Sequence, residues 1–450
     1  MLWSRIKWAP VLFWYAFNPY LSPDSYWYAT AGLAIRTDAW RENYVWNRTP
    51  GYPVLITIVS LISQKYLFEL VSLVQIVSVF FVFSKLRDEI LNRYCQELGR
   101  DQFRSVINYS LFLSFILLGG YLSAILPQAL ITVGLVWQAI YFIRVDEKAS
   151  STIRRVVEFL LLIAVMYAIH PLLAANLLFV SSLYILVLLI RPSGVARKQT
   201  FSIGFCLTIG IVFFISIHIM WSQFATDQAS KQVQSRQEVV SAIESTCNNY
   251  SLISGYNCQT ARGALVTDPL FVTSVFEPLK NDPFEVIQNL PKRFFNNVIG
   301  SPASGPNVSI GFYRLFSGIE QCVSFPSSVI LSVEPGLFSK VQNNCRISSS
   351  LFMSEFAQKI AKLIYVFSWF IAILLLLLHF VYLLVFPRNF FYLAICPICF
   401  VLLYSLLRSS ENRYGAPALP ILLIIGAIIS IRLLSRLNIV RLRNSKLPQN

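Results

Sequence analysis

Long apolar runs separated by short polar connections dominate the chain, at 7–21, 66–84, 106–126, 128–143, 156–170, 172–190, 202–222, 360–386, 389–407 and 415–433. Runs this apolar and this poor in charge predict membrane-spanning helices. The expected fold is an all-α polytopic bundle of about ten crossings with both termini on one side. The runs at 128–143 and 156–170 are shorter than the roughly 20 residues a span needs. They are expected to pair as hairpins turning at Leu126–Gln128 and at His170–Pro171. Gly51–Gln64 is expected to be interfacial or re-entrant, because a further crossing there would invert every connection after it. The first run carries no signal-peptidase-like site after a compact apolar core and is expected to stay as an anchor.

Composition agrees with this pattern. The 450 residues are 56% hydrophobic and 13% charged, with a mean hydropathy of +0.60, against about 25% charge in a soluble domain. The net charge of +15 raises the question of nucleic acid. However, the polar stretch 223–358 holds nine Lys/Arg and ten Asp/Glu, so the excess lies outside it, in short connections such as 85–104, 144–155, 191–198 and 432–446. Clusters so placed are cytoplasmic topology signals, and no nucleic-acid partner is expected. Three regions follow: a membrane module over 1–222 that includes a first outer loop at 22–50, an extracytoplasmic loop domain over 223–358, and a second membrane module over 359–450.

The loop domain begins with an exposed helical pattern. Farther on, "NDPFEVIQNLPKRFFNNVIGSPASGPN" reads as short helical patches broken by Pro, Gly and Asn. It contains Cys247, Cys258, Cys322 and Cys345, and four thiols in an oxidising compartment imply one or two disulfides. Of three possible pairings, the local ones, Cys247 with Cys258 and Cys322 with Cys345, are preferred over free buried thiols. Cys396 and Cys399 form "CPIC" inside an apolar run, where packing is favoured over redox chemistry.

Candidate chemistry gathers at the ends of the runs. "PDSYWYATAGLA" from Pro23 places Asp24 among Tyr26 and Tyr28, "NRTPGYP" places Arg48 and Tyr52, and "ENRYGAPALP" places Glu411, Arg413 and Tyr414. All three are expected on the outer face. Arginine presents a planar fork that matches phosphate oxygens at two points. Aromatic faces stack on sugar rings, and an aspartate accepts a proton from an attacking hydroxyl. Together these groups suit transfer of a sugar from a lipid phosphate.

These three motifs, in this order, resemble the GT-C glycosyltransferases, in particular the bacterial relatives of protein O-mannosyltransferases and aminoarabinose transferases of the family-39 type. The resemblance implies a hexosyl or pentosyl transferase of the plasma membrane that takes its sugar from a polyprenyl-phosphate donor. The acceptor would be a lipid, glycan or protein on the extracytoplasmic side. It further implies Asp24 as general base in a single inverting displacement, Arg48 and Arg413 on the donor phosphate, and Tyr26, Tyr28, Tyr52 and Tyr414 around the cavity, with Glu411 orienting Arg413. The chain departs from the pattern at Ser25, which follows Asp24 where many relatives have a second acid. The second acid is then either Glu42 or absent, so no cofactor is expected and a divalent metal is the weaker alternative. Gln128 stands where relatives carry an acid, and His170 precedes the proline that an arginine precedes in them; both are expected to contact substrate by hydrogen bonds.

Plainer readings stand beside these. Asp24 also suits a helix N-cap, the arginines suit interfacial anchors, and Tyr/Trp belts mark any membrane boundary. His170 suits a satisfied helix end, and His379 a structural role. A transporter, flippase, polymerase or ligase of lipid-linked glycans is the alternative function, although a conduit favours ionisable groups near mid-membrane and here they stay at helix ends.

Overall fold

The computed structural model describes residues 23–36, 49–63, 66–94, 100–123, 125–145, 152–190, 194–230, 283–301, 305–306, 391–407 and 415–430, together with 373–381 and scattered positions between 363 and 371. These are almost entirely helical, apart from a two-residue antiparallel pairing of Gly300 with Pro306 and Ser301 with Gly305. The helices are α1 (Pro23–Ala34), α2 (Gly51–Ile62), α3 (Leu67–Tyr94), α4 (Arg100–Ser123), α5 (Gln128–Val145), α6 (Thr152–Ile169), α7 (Pro171–Ile190), α8 (Gly194–Ser230), α9 (Pro283–Ile299) and α10 (Phe391–Leu407). The helix Ala416–Ser430, here α11, follows and opens with a 3₁₀ turn over Ala416–Ala418.

Consecutive helices from α3 to α8 alternate in direction. Phe83 of α3 meets Phe115 of α4, and Gln75 of α3 donates to the Leu122 carbonyl of α4 at 3.2 Å, so those two helices are antiparallel. Arg144 closes the far end of α5 onto Glu89 of α3, Nε to Oε1 at 2.8 Å. Tyr167 of α6 lies 3.0 Å from His218 of α8, and Gly210 of α8 sits on Phe159 and Ile163 of α6, so α6 and α8 run the same way. The ends of α4, α6 and α10 and the starts of α3, α5, α7 and α11 thus share one end of the bundle, called here the motif end.

The interior is joined by an extended apolar cluster that draws on α3 to α8, α10 and α11. A small polar knot interrupts it: Asn176 donates to Gln138 Oε1 at 2.9 Å and lies against the Cys396 carbonyl, while Gln138 donates to the Leu173 carbonyl. Cys396 and Cys399 are buried free thiols. The exposed surface, in contrast, is apolar in stripes, as on α6, where Ile153, Val157, Leu161 and Val165 repeat every four residues. Among the described residues two helices, Leu67–Asn92 and Ser202–Ala225, are long and apolar enough to cross a membrane.

The pair α1 and α2 lies beside the bundle with its own small core of Ala29, Leu33, Tyr52, Ile56, Val59, Leu67, Val71 and Ile125. Three contacts repeat with an offset of 24 residues. Tyr28 stands edge-on to Tyr52 with ring centroids 5.1 Å apart, Gly32 packs on Ile56, and Arg36 donates to Ser60 Oγ at 3.1 Å. The two helices are therefore parallel. With 12 residues, α2 is about 18 Å long at 1.5 Å per residue, too short to span. It starts against the end of α6, and four residues separate its end from the start of α3, so both of its ends lie at the motif end.

Three expectations change. Helix α8 runs on to Ser230, so the helical pattern expected at the start of 223–358 continues the apolar run without a break at 222. Helix α9 is one 17-residue helix that continues through Pro291, rather than separate patches. Proline removes one intrahelical bond, and here the helix is held by packing of its inner face against α10. The third is direction. In a strict ten-crossing alternation, the segment at 360–386 runs parallel to α11. Instead Leu375 packs on Gly426 and His379 lies beside the Leu422 backbone, so the helix over 373–381 runs antiparallel to α11. Alternation holds for α3 to α8 and for α10 and α11, and fails for that helix.

The α1–α2 contact gives a test. A Cβ on Gly32 would fall 2.7 Å from Ile56 Cβ and 2.8 Å from the Pro53 carbonyl oxygen, whereas Gly204 has open space. Gly32→Val is expected to cost about 1–3 kcal/mol as overpacking and to lower the thermal unfolding midpoint in detergent. Gly204→Ala is expected not to lower it.

Candidate functional site

The corner between α6 and α7 organises the motif end. Pro171 has no N–H, and the Leu173 amide turns back to the His170 carbonyl at 2.9 Å, which leaves the Ile169 carbonyl without its usual helical donor. Thr49 fills that position, its hydroxyl donating to the Ile169 oxygen at 3.1 Å. Gly51 lets the chain approach the α6 backbone, since a Cβ there would stand 2.6 Å from the Ala168 carbonyl oxygen. Pro50 and Pro53 are harmless beside this contact, because the first-turn amides of α2 have no helical acceptor. Tyr52 then points inward, fully buried, and donates to Gln75 Oε1 at 2.7 Å. Each residue of "TPGY" thus has a local structural cause.

His170 completes the corner. Its Nδ1 accepts the Leu172 amide at 3.2 Å, as a side-chain N-cap for α7. That bond requires the neutral tautomer with its proton on Nε2, and Nε2 lies 3.0 Å from the Tyr404 hydroxyl. Tyr404 belongs to the last turns of α10, just before the "ENRYG" stretch. The next residue, Ser405, receives a hydrogen bond from Asn297 Nδ2 at 2.9 Å. Gly415 lies against the Asn297 carbonyl so closely that a Cβ would overlap it. A continuous set of contacts therefore runs from Thr49 and Gly51 through His170 and Tyr404 to Ser405, Asn297 and Gly415, joining segments more than 350 residues apart in sequence.

The backbone of Asp24 is in the first turn of α1. One turn, about 6 Å, separates it from Tyr28, which is level with Tyr52 at the start of α2. Asp24 is thus carried at the edge of α2 that faces the α6 end. Tyr26 lies on the same turn of helix, and Tyr28 is half-buried against Tyr52. Gln128 opens α5 and is buried, and its Oε1 has no hydrogen-bond partner among the described residues. Helix α5 packs against the 416–418 turn. Arg48, Glu411, Arg413 and Tyr414 lie outside the described residues, as do Cys247, Cys258, Cys322 and Cys345.

Two placements differ from a cavity lining. Tyr52 is a core residue fixed by Gln75, and His170 is a satisfied helix cap. Sequence reasoning also missed polar groups at this end: Tyr404 and Ser405 on α10, and Arg293 and Asn297 on α9, both buried. The signal was the spacing of Asn289, Arg293 and Asn297, four residues apart and so on one helical face. Among the described residues, no group of three His, Cys, Asp or Glu side chains is arranged to hold a metal ion.

Comparison with protein-family models, with curated proteins and with solved structures finds no match to this chain.

The His170–Tyr404 contact is testable by a double-mutant cycle. Tyr404→Phe and His170→Ala are each expected to destabilise the detergent-solubilised protein. Their effects are expected to be non-additive by about 0.5–3 kcal/mol, the range for residues in direct contact. Strict additivity in thermal unfolding would contradict the corner described here.

Proposed function

We propose that the chain is a GT-C-like membrane glycosyltransferase of the bacterial plasma membrane. It moves a hexosyl or pentosyl group from a polyprenyl-phosphate donor to an acceptor on the extracytoplasmic face. The observation that carries the reading is the gathering of α1, the start of α2, the α6–α7 corner, the end of α10 and Gly415 at one end of an apolar bundle. Outward apolar stripes on α6 and α8 and two helices of spanning length support a bilayer setting for that bundle. The basic connections at 85–104 and 144–155 belong to the opposite end, which under the positive-inside rule makes the motif end extracytoplasmic.

In this reading Asp24 accepts the proton of the acceptor hydroxyl as that oxygen attacks the anomeric carbon from the face opposite the leaving lipid phosphate. The phosphate departs with the bonding electron pair, and the anomeric centre inverts. Arg48 and Arg413 hold the phosphate oxygens and stabilise the charge that develops there. Glu411 orients Arg413, and Tyr26, Tyr28 and Tyr414 contact the sugar. Gln128 offers Oε1 as a hydrogen-bond acceptor. The cap role of His170 and the buried role of Tyr52 make them positioning residues for the first motif. No metal-dependent step is required.

The test separates base from binder, using purified protein with a synthetic polyprenyl-phosphate sugar and measuring donor binding apart from turnover. Asp24→Asn is expected to lower turnover by about 10²–10⁴-fold, the usual weight of general-base catalysis, with donor binding intact. Arg413→Ala is expected to weaken donor binding by about 1.5–3 kcal/mol, the value of a hydrogen bond to a charged group. Full turnover in Asp24→Asn contradicts the assignment.

A further inference from the structure

Helix α9 buries a row of polar side chains and exposes a stripe of large apolar ones. On its inner face stand Asn289, Arg293 and Asn297, with Arg293 only 1% exposed. On its outer face stand Phe284 at 76% exposure, Ile287 and Phe295, with Pro291 exposed between them and the exposed Gln288 and Lys292 along one edge. At 100° per residue, Phe284 and Arg293 point to opposite sides of the helix. Water favours the opposite arrangement, with the guanidinium out and the phenyl rings in. A solvent of hydrocarbon favours this one.

The position of α9 agrees. It packs along α10, tied there by Asn297 and Ser405. Phe294 meets Phe380 with ring centroids 6.2 Å apart. The helix carrying Phe380 exposes Leu374, Leu377 and Val381 as its own apolar stripe. The Phe294–Phe380 contact thus joins two outward apolar stripes. At 17 residues, with Glu285, Lys292 and Arg293, α9 is too short and too polar to be an independent span. An exposed apolar stripe edged by Gln288 and Lys292, whose polar tips can reach out of the apolar layer, is the pattern of a helix lying at a membrane boundary.

We propose that α9 is a membrane-boundary helix whose stripe of Phe284, Ile287, Pro291 and Phe295 is covered by lipid acyl chains. It is then not part of a water-facing loop. Its inner polar face becomes a side wall of the motif end, screened from the bilayer by its own apolar side. The inference rests on the bilayer setting of the bundle and is independent of the transfer chemistry.

The test replaces Phe284 and Phe295, one at a time, by the photoreactive benzoylphenylalanine in the full chain, reconstituted into phospholipid vesicles and irradiated. Val212, exposed on α8, is the lipid-facing reference, and Leu290, on the inner side of α9, is the protein-facing one. Mass spectrometry is expected to find phospholipid adducts at 284 and 295 in yields comparable with position 212, and protein crosslinks at 290. Adducts at 212 with none at 284 and 295 overturn the proposal, as does a crosslink from 284 or 295 to a second copy of the chain. Absence of lipid adducts at all these positions overturns the bilayer setting and the proposal with it. Glycosyl transfer enters none of these readouts, so failure of the catalytic assignment leaves them unchanged.

Discussion

The orphan carbonyl at the end of α6 is the constraint on which the motif end depends. A helix that stops at His170–Pro171 cannot hand its last carbonyls to the next helix, and in apolar surroundings an unpaired carbonyl is costly. Thr49 satisfies the Ile169 oxygen from a segment 120 residues away, and that one bond draws the start of α2 to the corner. Gly51 permits the approach, and Tyr52 anchors it from below through Gln75. Because α1 runs parallel to α2 with a 24-residue offset, fixing α2 also fixes the height at which α1 carries Asp24.

The same corner reaches the other half of the chain through His170. Its ring caps α7 with one nitrogen and faces Tyr404 with the other, so the orientation of the imidazole and the position of α10 depend on each other. From α10 the contact passes through Ser405 to Asn297 and Gly415. This is how a residue that resembles neither an acid nor an arginine can be central to the corner.

Much of the fold was legible in the sequence because apolar runs and basic connections obey simple rules. The edges of α5 at Gln128, of α6 at Ile169 and of α7 at Pro171 follow from the Pro-containing turns. The rest was hidden for identifiable reasons. Pro291 suggested a break in α9, yet packing along α10 outweighs one missing bond. The inward polar stripe of α9 looked like an ordinary solvated loop, since sequence alone does not say which face of a helix meets the solvent. Tyr52 read as a cavity residue by its neighbours, while its partner Gln75 lies on an apolar helix that drew no attention. The reversed direction of the helix over 373–381 has no signature in hydropathy, which reports that a segment is apolar and not which way it runs.

The most direct measurement of the account is whether the first motif returns to the α6–α7 corner in the membrane. Thr49→Cys paired with Ala168→Cys, in the otherwise intact chain, is to be treated with a short dithiol-specific crosslinker in native membranes and digested for mass spectrometry. The account predicts a linked peptide joining positions 49 and 168, and none when Thr49→Cys is paired instead with Arg144→Cys at the opposite end of the bundle. A link to 144, or no link to 168 while both thiols are reactive, would contradict it.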